Sequence, residues 1–156
     1  MEQLYQLIYT SPNGGAIEIH DSHQEIEREE NLFFARLLAD NGKHVRLLAH
    51  TNQWGIKNPD AEVNGRLGDF KRASVPTHRA IQWLIEKANS QRVEIAIIFL
   101  NHPDFTTREI KRALIGALGG TWNRHIKEVW LINLEFKILE IKRQEIVERT
   151  FLLRLD

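Results

Sequence analysis

The chain has 156 residues, Lys+Arg 21 balanced by Asp+Glu 21, and no cysteine. That length points to one domain, 1–156, able to bury a proper core, and the missing cysteines exclude a disulfide framework, a Cys-based zinc site and a thiol nucleophile. The longest apolar run, Ile95–Leu100, is far too short to cross a bilayer, the N-terminus lacks a basic region followed by an apolar one, and balanced charge leaves room for a local basic face rather than a wholly basic surface.

Residues 5–20, YQLIYTSPNGGAIEIH, alternate apolar and polar positions around a Ser-Pro-Asn-Gly-Gly cluster, which predicts an opening β-hairpin. SHQEIEREENLFFARLLADNG then carries apolar residues at helical spacing and stops at Asn41-Gly42, a C-terminal helix signal. HVRLLAH suits a strand, and GIKNPDAEVNGRLGDFKR predicts a second hairpin turning on Asn64-Gly65. THRAIQWLIEKANS, with Thr77 as N-cap and Ile81, Leu84, Ile85 and Ala88 on one face, predicts a second helix leading into VEIAIIFL, a strand buried on both faces. TTREIKRALIGALGG predicts a third helix, EVWLINL and FKILEIKR further strands, and the tail carries no firm pattern. The order β-β-α-β-β-β-α-β-α-β-β describes an α/β (α+β) fold, a mixed sheet flanked by helices.

The second hairpin carries the chemistry. With Asn64-Gly65 as a two-residue type I′ loop, Val63 pairs with Arg66, and counting outward sets Asp60 opposite Asp69. Like charges directly opposed are destabilising. Lys71, two residues beyond Asp69 and so on the same face of the strand, offsets one charge, and a divalent cation bound through oxygen offsets more. Taking Ile26, Phe33, Phe34, Leu37 and Leu38 as the apolar face of the first helix, Glu30 lies near its centre and is expected to point inward, while Glu27 and Glu29 read as surface charges. The histidines, His23 and His50 among them, show no H-E-x-x-H spacing and read as surface residues.

Helix-borne Glu30, then Pro59-Asp60, then Asp69-Phe70-Lys71 resembles the PD-(D/E)xK nuclease superfamily. Within it, ENLFFARLLADNGKHVRLL, GIKNPDAEVNGRLGDFK and AIQWLIEKANSQ are similar to the C-terminal tRNA-nuclease domains of contact-dependent growth-inhibition toxins (CdiA type). The resemblance runs from GGAIEIH to IKEVWLINLEFKILEIKR, nearly the whole chain. It implies a restriction-endonuclease-like sheet, hydrolysis of a phosphodiester, and a divalent metal, Mg²⁺ first, with Mn²⁺ or Zn²⁺ as alternatives. Asp60 and Asp69 would be metal ligands, Glu30 a further ligand or the residue orienting the attacking water, and Lys71 the residue that positions the nucleophile and stabilises charge on phosphorus. Gln91 matches a recurrent glutamine with a supporting role. The resemblance also implies an immunity protein as partner and action in the cytoplasm after delivery as part of a secreted toxin. Two departures stand out: the second motif acid is Asp69 where Glu is more usual, and the chain opens on Met1 with no visible delivery region, as an excised domain or a stand-alone relative would.

Phosphate contacts are expected from Arg72, His78 and Arg79, and from Arg108, Lys111 and Arg112 on the third helix. Trp54 is placed to stack on a base or to cover the core. A neutral domain with a local basic patch favours a compact folded RNA such as tRNA over long duplex DNA. A DNA endonuclease of the same fold and an inactive nucleic-acid-binding relative are the competing readings, and no membrane partner is expected.

Overall fold

The computed structural model describes residues 4–23, 25–50 and 58–155, with the side chains of Glu25 and Ile26 set aside. Trp54 and the Ile26 side chain, both used in the sequence reading, lie outside what is described. The elements run β1 (Tyr5–Thr10), β2 (Ala16–His20), α1 (Glu25–Asp40), β3 (His44–Leu47), β4 (Ala61–Val63), β5 (Arg66–Ala73), α2 (His78–Ser90), β6 (Ile95–Leu100), α3 (Thr107–Leu118), β7 (Glu128–Ile132), β8 (Ile138–Lys142), α4 (Arg143–Val147) and α5 (Leu152–Leu155). Strand order in the mixed sheet repeats strand order in sequence, β1 through β8. The predicted order of strands and helices holds throughout, and the patternless tail adds α4 and α5, each too short to show a helical period. No helix among the described residues is long and apolar enough to cross a membrane.

Two compact units divide the chain between Gly68 and Asp69, inside β5. In the first, β1 and β2 form the antiparallel hairpin, α1 crosses over to bring β3 parallel to β2, and β4 runs antiparallel to β3. Phe34, Ala35 and Leu38 of α1 bury against a sheet face carrying Ile17, Ile19, Val45, Leu47 and Val63. Truncating Phe34 to Ala would cost about 3–5 kcal/mol. The turn before β2 lies so close to the end of α1 that a Cβ on Gly15 would sit 1.9 Å from the Ala39 carbonyl oxygen, so only glycine fits.

In the second unit, every residue of β6 is buried, as its unbroken apolar run requires. β6 pairs parallel with β7, and β7 antiparallel with β8. The helices α2 and α3 pack on one another, α2 burying Ile81, Leu84 and Ile85 and α3 burying Leu114 and Leu118. Both begin on threonine N-caps: Thr77 accepts from the Ala80 amide and Thr106 from the Glu109 amide, satisfying donors that the first helical turn leaves open. The connection from α3 to β7 is held by Arg143. Its guanidinium donates to the carbonyls of Asn123 (2.6 Å), Ile126 (3.1 Å), Gly120 (2.9 Å) and Trp122.

Candidate functional site

Asn64 (φ 50°) and Gly65 (φ 82°) both take left-handed conformations, as a type I′ turn requires. The register is the one read from sequence: Val63 with Arg66, Glu62 with Leu67, Ala61 with Gly68. Asp60 and Asp69 are the next residues along the two strands. Asp60 is half-buried, and its carbonyl accepts the Leu48 amide at 3.1 Å. Asp69 is 1 % exposed, with Lys71 Nζ 3.2 Å from its Oδ2. The two-residue strand period thus does set the lysine beside the acid.

The first helix departs from expectation. Glu30 is exposed, not inward. Phe33, counted as core in the sequence, is only half-buried, whereas Asn31, Phe34, Ala35 and Leu38 define the buried stripe. Recentred on those residues, the 3.6-residue turn puts Glu30 about 90° from the middle of the face and Glu27 only about 30° from it. Glu27 lies one turn N-terminal to that stripe; its side chain is 51 % exposed and its Oε2 lies 3.9 Å from His50 Nδ1.

His50 and His23 are not the surface residues expected. The His50 side chain is 4 % exposed, and its Nε2 is buried with no hydrogen-bond partner among the described residues. Glu27, His50 and Asp60 each offer a ligand atom, all within 4.8 Å of one another. His23 packs edge-on against His50, with ring centroids 4.7 Å apart. Its Nδ1 lies 2.8 Å from the Leu48 carbonyl, which can only accept, so Nδ1 carries the proton. The Asn31 amide nitrogen, 2.9 Å away, then donates to Nε2. Both contacts fit a neutral ring, and burial lowers the His23 pKa below its ordinary value of 6.5.

A pH dependence follows from this. The folded state resists a proton that the unfolded chain accepts near pH 6.5, so this contribution to stability is complete above that pH and lost as pH falls below it. Urea melts between pH 7.5 and 5 should show the decline, and His23→Asn, which keeps a donor towards Leu48 but does not titrate there, should flatten it. An unchanged slope in the variant would remove His23 as the cause.

On the second unit, a cavity of about 760 Å³ opens between α2 and α3, lined by His78, Gln82, Arg108, Lys111, Arg112 and Gly116 among others. The basic residues expected on α3 therefore do converge on a groove. His78 is not free for a phosphate: its backbone N–H (2.5 Å) and Nδ1 (2.7 Å) both engage Glu109, and these bonds hold the Glu109 carboxyl below its usual range. Arg79 is exposed, and Arg72, also exposed, lies over the Phe99 ring at 5.1 Å. Gln91 is the C-cap of α2, its backbone N–H donating to the Ala88 and Asn89 carbonyls.

No family model and no curated protein matches the chain. Among solved structures, it is similar to a chain of the CdiA-CT/CdiI toxin and immunity complex from Burkholderia pseudomallei, with a TM-score of 0.56 and 21% identity over 76% of this chain and 89% of that one. At that identity the likeness is one of fold.

Within this cluster His50 departs from its sequence reading, whereas Glu27, read as a surface charge, is exposed, and only its proximity to His50 was not foreseen. Glu27 lies i, i+4 from Asn31 and i, i+7 from Phe34, which sets it on the side of α1 nearest His50. His50 follows β3 where no periodicity applies.

Proposed function

We propose that the protein is a metal-dependent nuclease that hydrolyses phosphodiester bonds in tRNA, acting in the cytoplasm as a toxin effector domain restrained by an immunity protein. The observation that carries this reading is that Lys71 Nζ sits 3.2 Å from a nearly fully buried Asp69, just beyond the hairpin. The fold shared with a chain of a toxin and immunity complex supports the effector role.

The donor set suits a hard or borderline divalent cation, since carboxylates supply oxygen and nothing in the chain supplies a thiolate. When bound, such a cation acidifies water and polarises a phosphoryl oxygen. Asp60 and Asp69 hold it in this reading. Lys71 brings a compact positive charge towards phosphorus, where interactions that strengthen in the transition state accelerate the reaction. Arg108, Lys111 and Arg112 present the groove's charge to the phosphates of a folded RNA, with Arg72 and Arg79 extending it.

The direct test is incubation with total tRNA and, separately, plasmid DNA, each with Mg²⁺, Mn²⁺ or chelator. Cleavage of tRNA that needs the metal is the expected result. Degradation of plasmid with tRNA left intact would reverse the substrate and keep the catalytic residues.

Charge reversal in the groove tests substrate contact. Arg108→Glu with Arg112→Glu should weaken tRNA binding and reduce the slope of log K against log salt by about 1.5, since each phosphate contact contributes about 0.7–0.9. Metal affinity should not change. A double variant that binds tRNA with the parent's affinity and salt slope would show that this groove does not hold the RNA.

A further inference from the structure

We infer that Glu27, His50 and Asp60 form a mixed oxygen and nitrogen metal site on the first unit, suited to Mn²⁺ or Zn²⁺ ahead of Mg²⁺. This deepens the role of Asp60 given above, replaces Glu30 by Glu27 as the carboxylate supplied by α1, and adds a histidine that the resemblance did not include.

Three observations support it. The ligand atoms of Glu27, His50 and Asp60 lie within 4.8 Å of one another. An ion holding two ligands at about 2.1 Å keeps them no more than about 4.2 Å apart, so the cluster need close by only about half an ångström to seat one. Second, the His50 side chain is 4 % exposed and its Nε2 has no hydrogen-bond partner among the described residues. A simple ion pair with Glu27 does not account for this, because a protonated imidazole carries two N–H donors and a buried one left unmade costs about 1–3 kcal/mol. A metal ion asks only for a neutral ring, which gives one nitrogen to the ion and keeps its single proton on the other, so the buried imidazole need carry no charge.

Third, the site is built from fixed elements. Glu27, with its side chain 51 % exposed, stands on the first turn of α1, a helix whose apolar stripe is buried against the sheet. The backbone amide of His50 donates to Ser22 Oγ at 3.3 Å, and its ring rests edge-on against His23, which is itself fixed by Leu48 and Asn31. The Asp60 carbonyl accepts the Leu48 amide, tying the strand after His23's anchor to the residue that supplies the second carboxylate. The two carboxylates supply a formal charge of −2, which a divalent cation offsets. Imidazole nitrogen is a poor ligand for Mg²⁺ and a good one for Zn²⁺ and Mn²⁺, which sets the preference.

The test uses the full chain. Spin-echo modulation spectra of the Mn²⁺-loaded parent should show one directly bound imidazole nitrogen, and His50→Gln should abolish that signal. Calorimetry should show Mn²⁺ and Zn²⁺ binding weakened at least tenfold by His50→Gln and by Glu27→Gln, and changed less than twofold by Glu30→Gln. The nitrogen signal is read on the parent, so a variant that fails to fold does not decide the matter. Absence of nitrogen coupling in the parent overturns the site, even where tRNA cleavage proves metal-dependent. Nitrogen coupling in a protein that cleaves no nucleic acid supports the site and removes the nuclease reading instead.

Discussion

Replacing Lys71 by arginine is expected to leave the protein folded and to reduce tRNA cleavage by about 10²–10³-fold, the usual range for losing one well-aimed charge in an active site. The reasoning turns on shape more than on charge. Lys71 Nζ lies 3.2 Å from Asp69 Oδ2, with the lysine side chain 22% exposed and the aspartate side chain 2%. Arginine keeps a positive charge beside Asp69, but its planar guanidinium cannot act as the compact, rotatable point charge of an ammonium. Lys71→Met should remove activity as well and also lower stability, by about 1–3 kcal/mol, because a buried carboxylate loses a cationic partner. The pair of variants separates chemistry from folding. Near-parent cleavage by Lys71→Arg, in a preparation free of contaminating nuclease, would remove Lys71 from the reaction.

The second large effect is structural. Arg143→Met should lower stability by about 3 kcal/mol, or roughly 6–12 °C in Tm for a chain of this size. One guanidinium satisfies carbonyls of Gly120, Trp122, Asn123 and Ile126, and hydrogen bonds to a charged donor are worth about 1.5–3 kcal/mol each, although such contributions do not add. Methionine fills part of the volume and donates nothing, so those carbonyls must find water or other donors. Arg143→Lys should recover less than half of the loss, because a single nitrogen cannot span the fork that reaches four carbonyls. A thermal melt within about 2 °C of the parent would show that the 120–126 segment holds itself.

How much of this was legible in the sequence depends on which residues signal locally. Asn64-Gly65 announced its turn because few residue pairs accept two consecutive left-handed conformations, and that fixed the hairpin register without reference to the rest of the chain. Thr77 and the IAIIFL run were legible for similar reasons, a cap and a strand needing only their own neighbours. Glu30 was expected inward because the phase of α1 was set on Ile26, Phe33 and Leu37 and left out Asn31 and Ala35, a buried polar residue and a small one, which moves the estimated centre by about 90°. His50 was missed because its burial comes from partners distant in sequence, His23 and Glu27, and no local pattern encodes that. His78, expected on phosphate, is instead joined to Glu109, which lies 31 residues away.

Sheet order bears on how the chain closes its loops. Because neighbours in the sheet are also neighbours in sequence, no strand waits for a distant partner to be made. The longer connections, among them His20 to His44 around α1 and Leu100 to Glu128 around α3, span similar lengths of chain. Closure entropy grows only as the logarithm of length, about 0.6 kcal/mol per doubling, so neither is a bottleneck relative to the other. Each is also shortened in effect by the helix inside it, which brings its ends together as it forms. A chain of this kind can assemble in the order in which it emerges, from a ribosome or from a pore, with every new strand finding its template already in place.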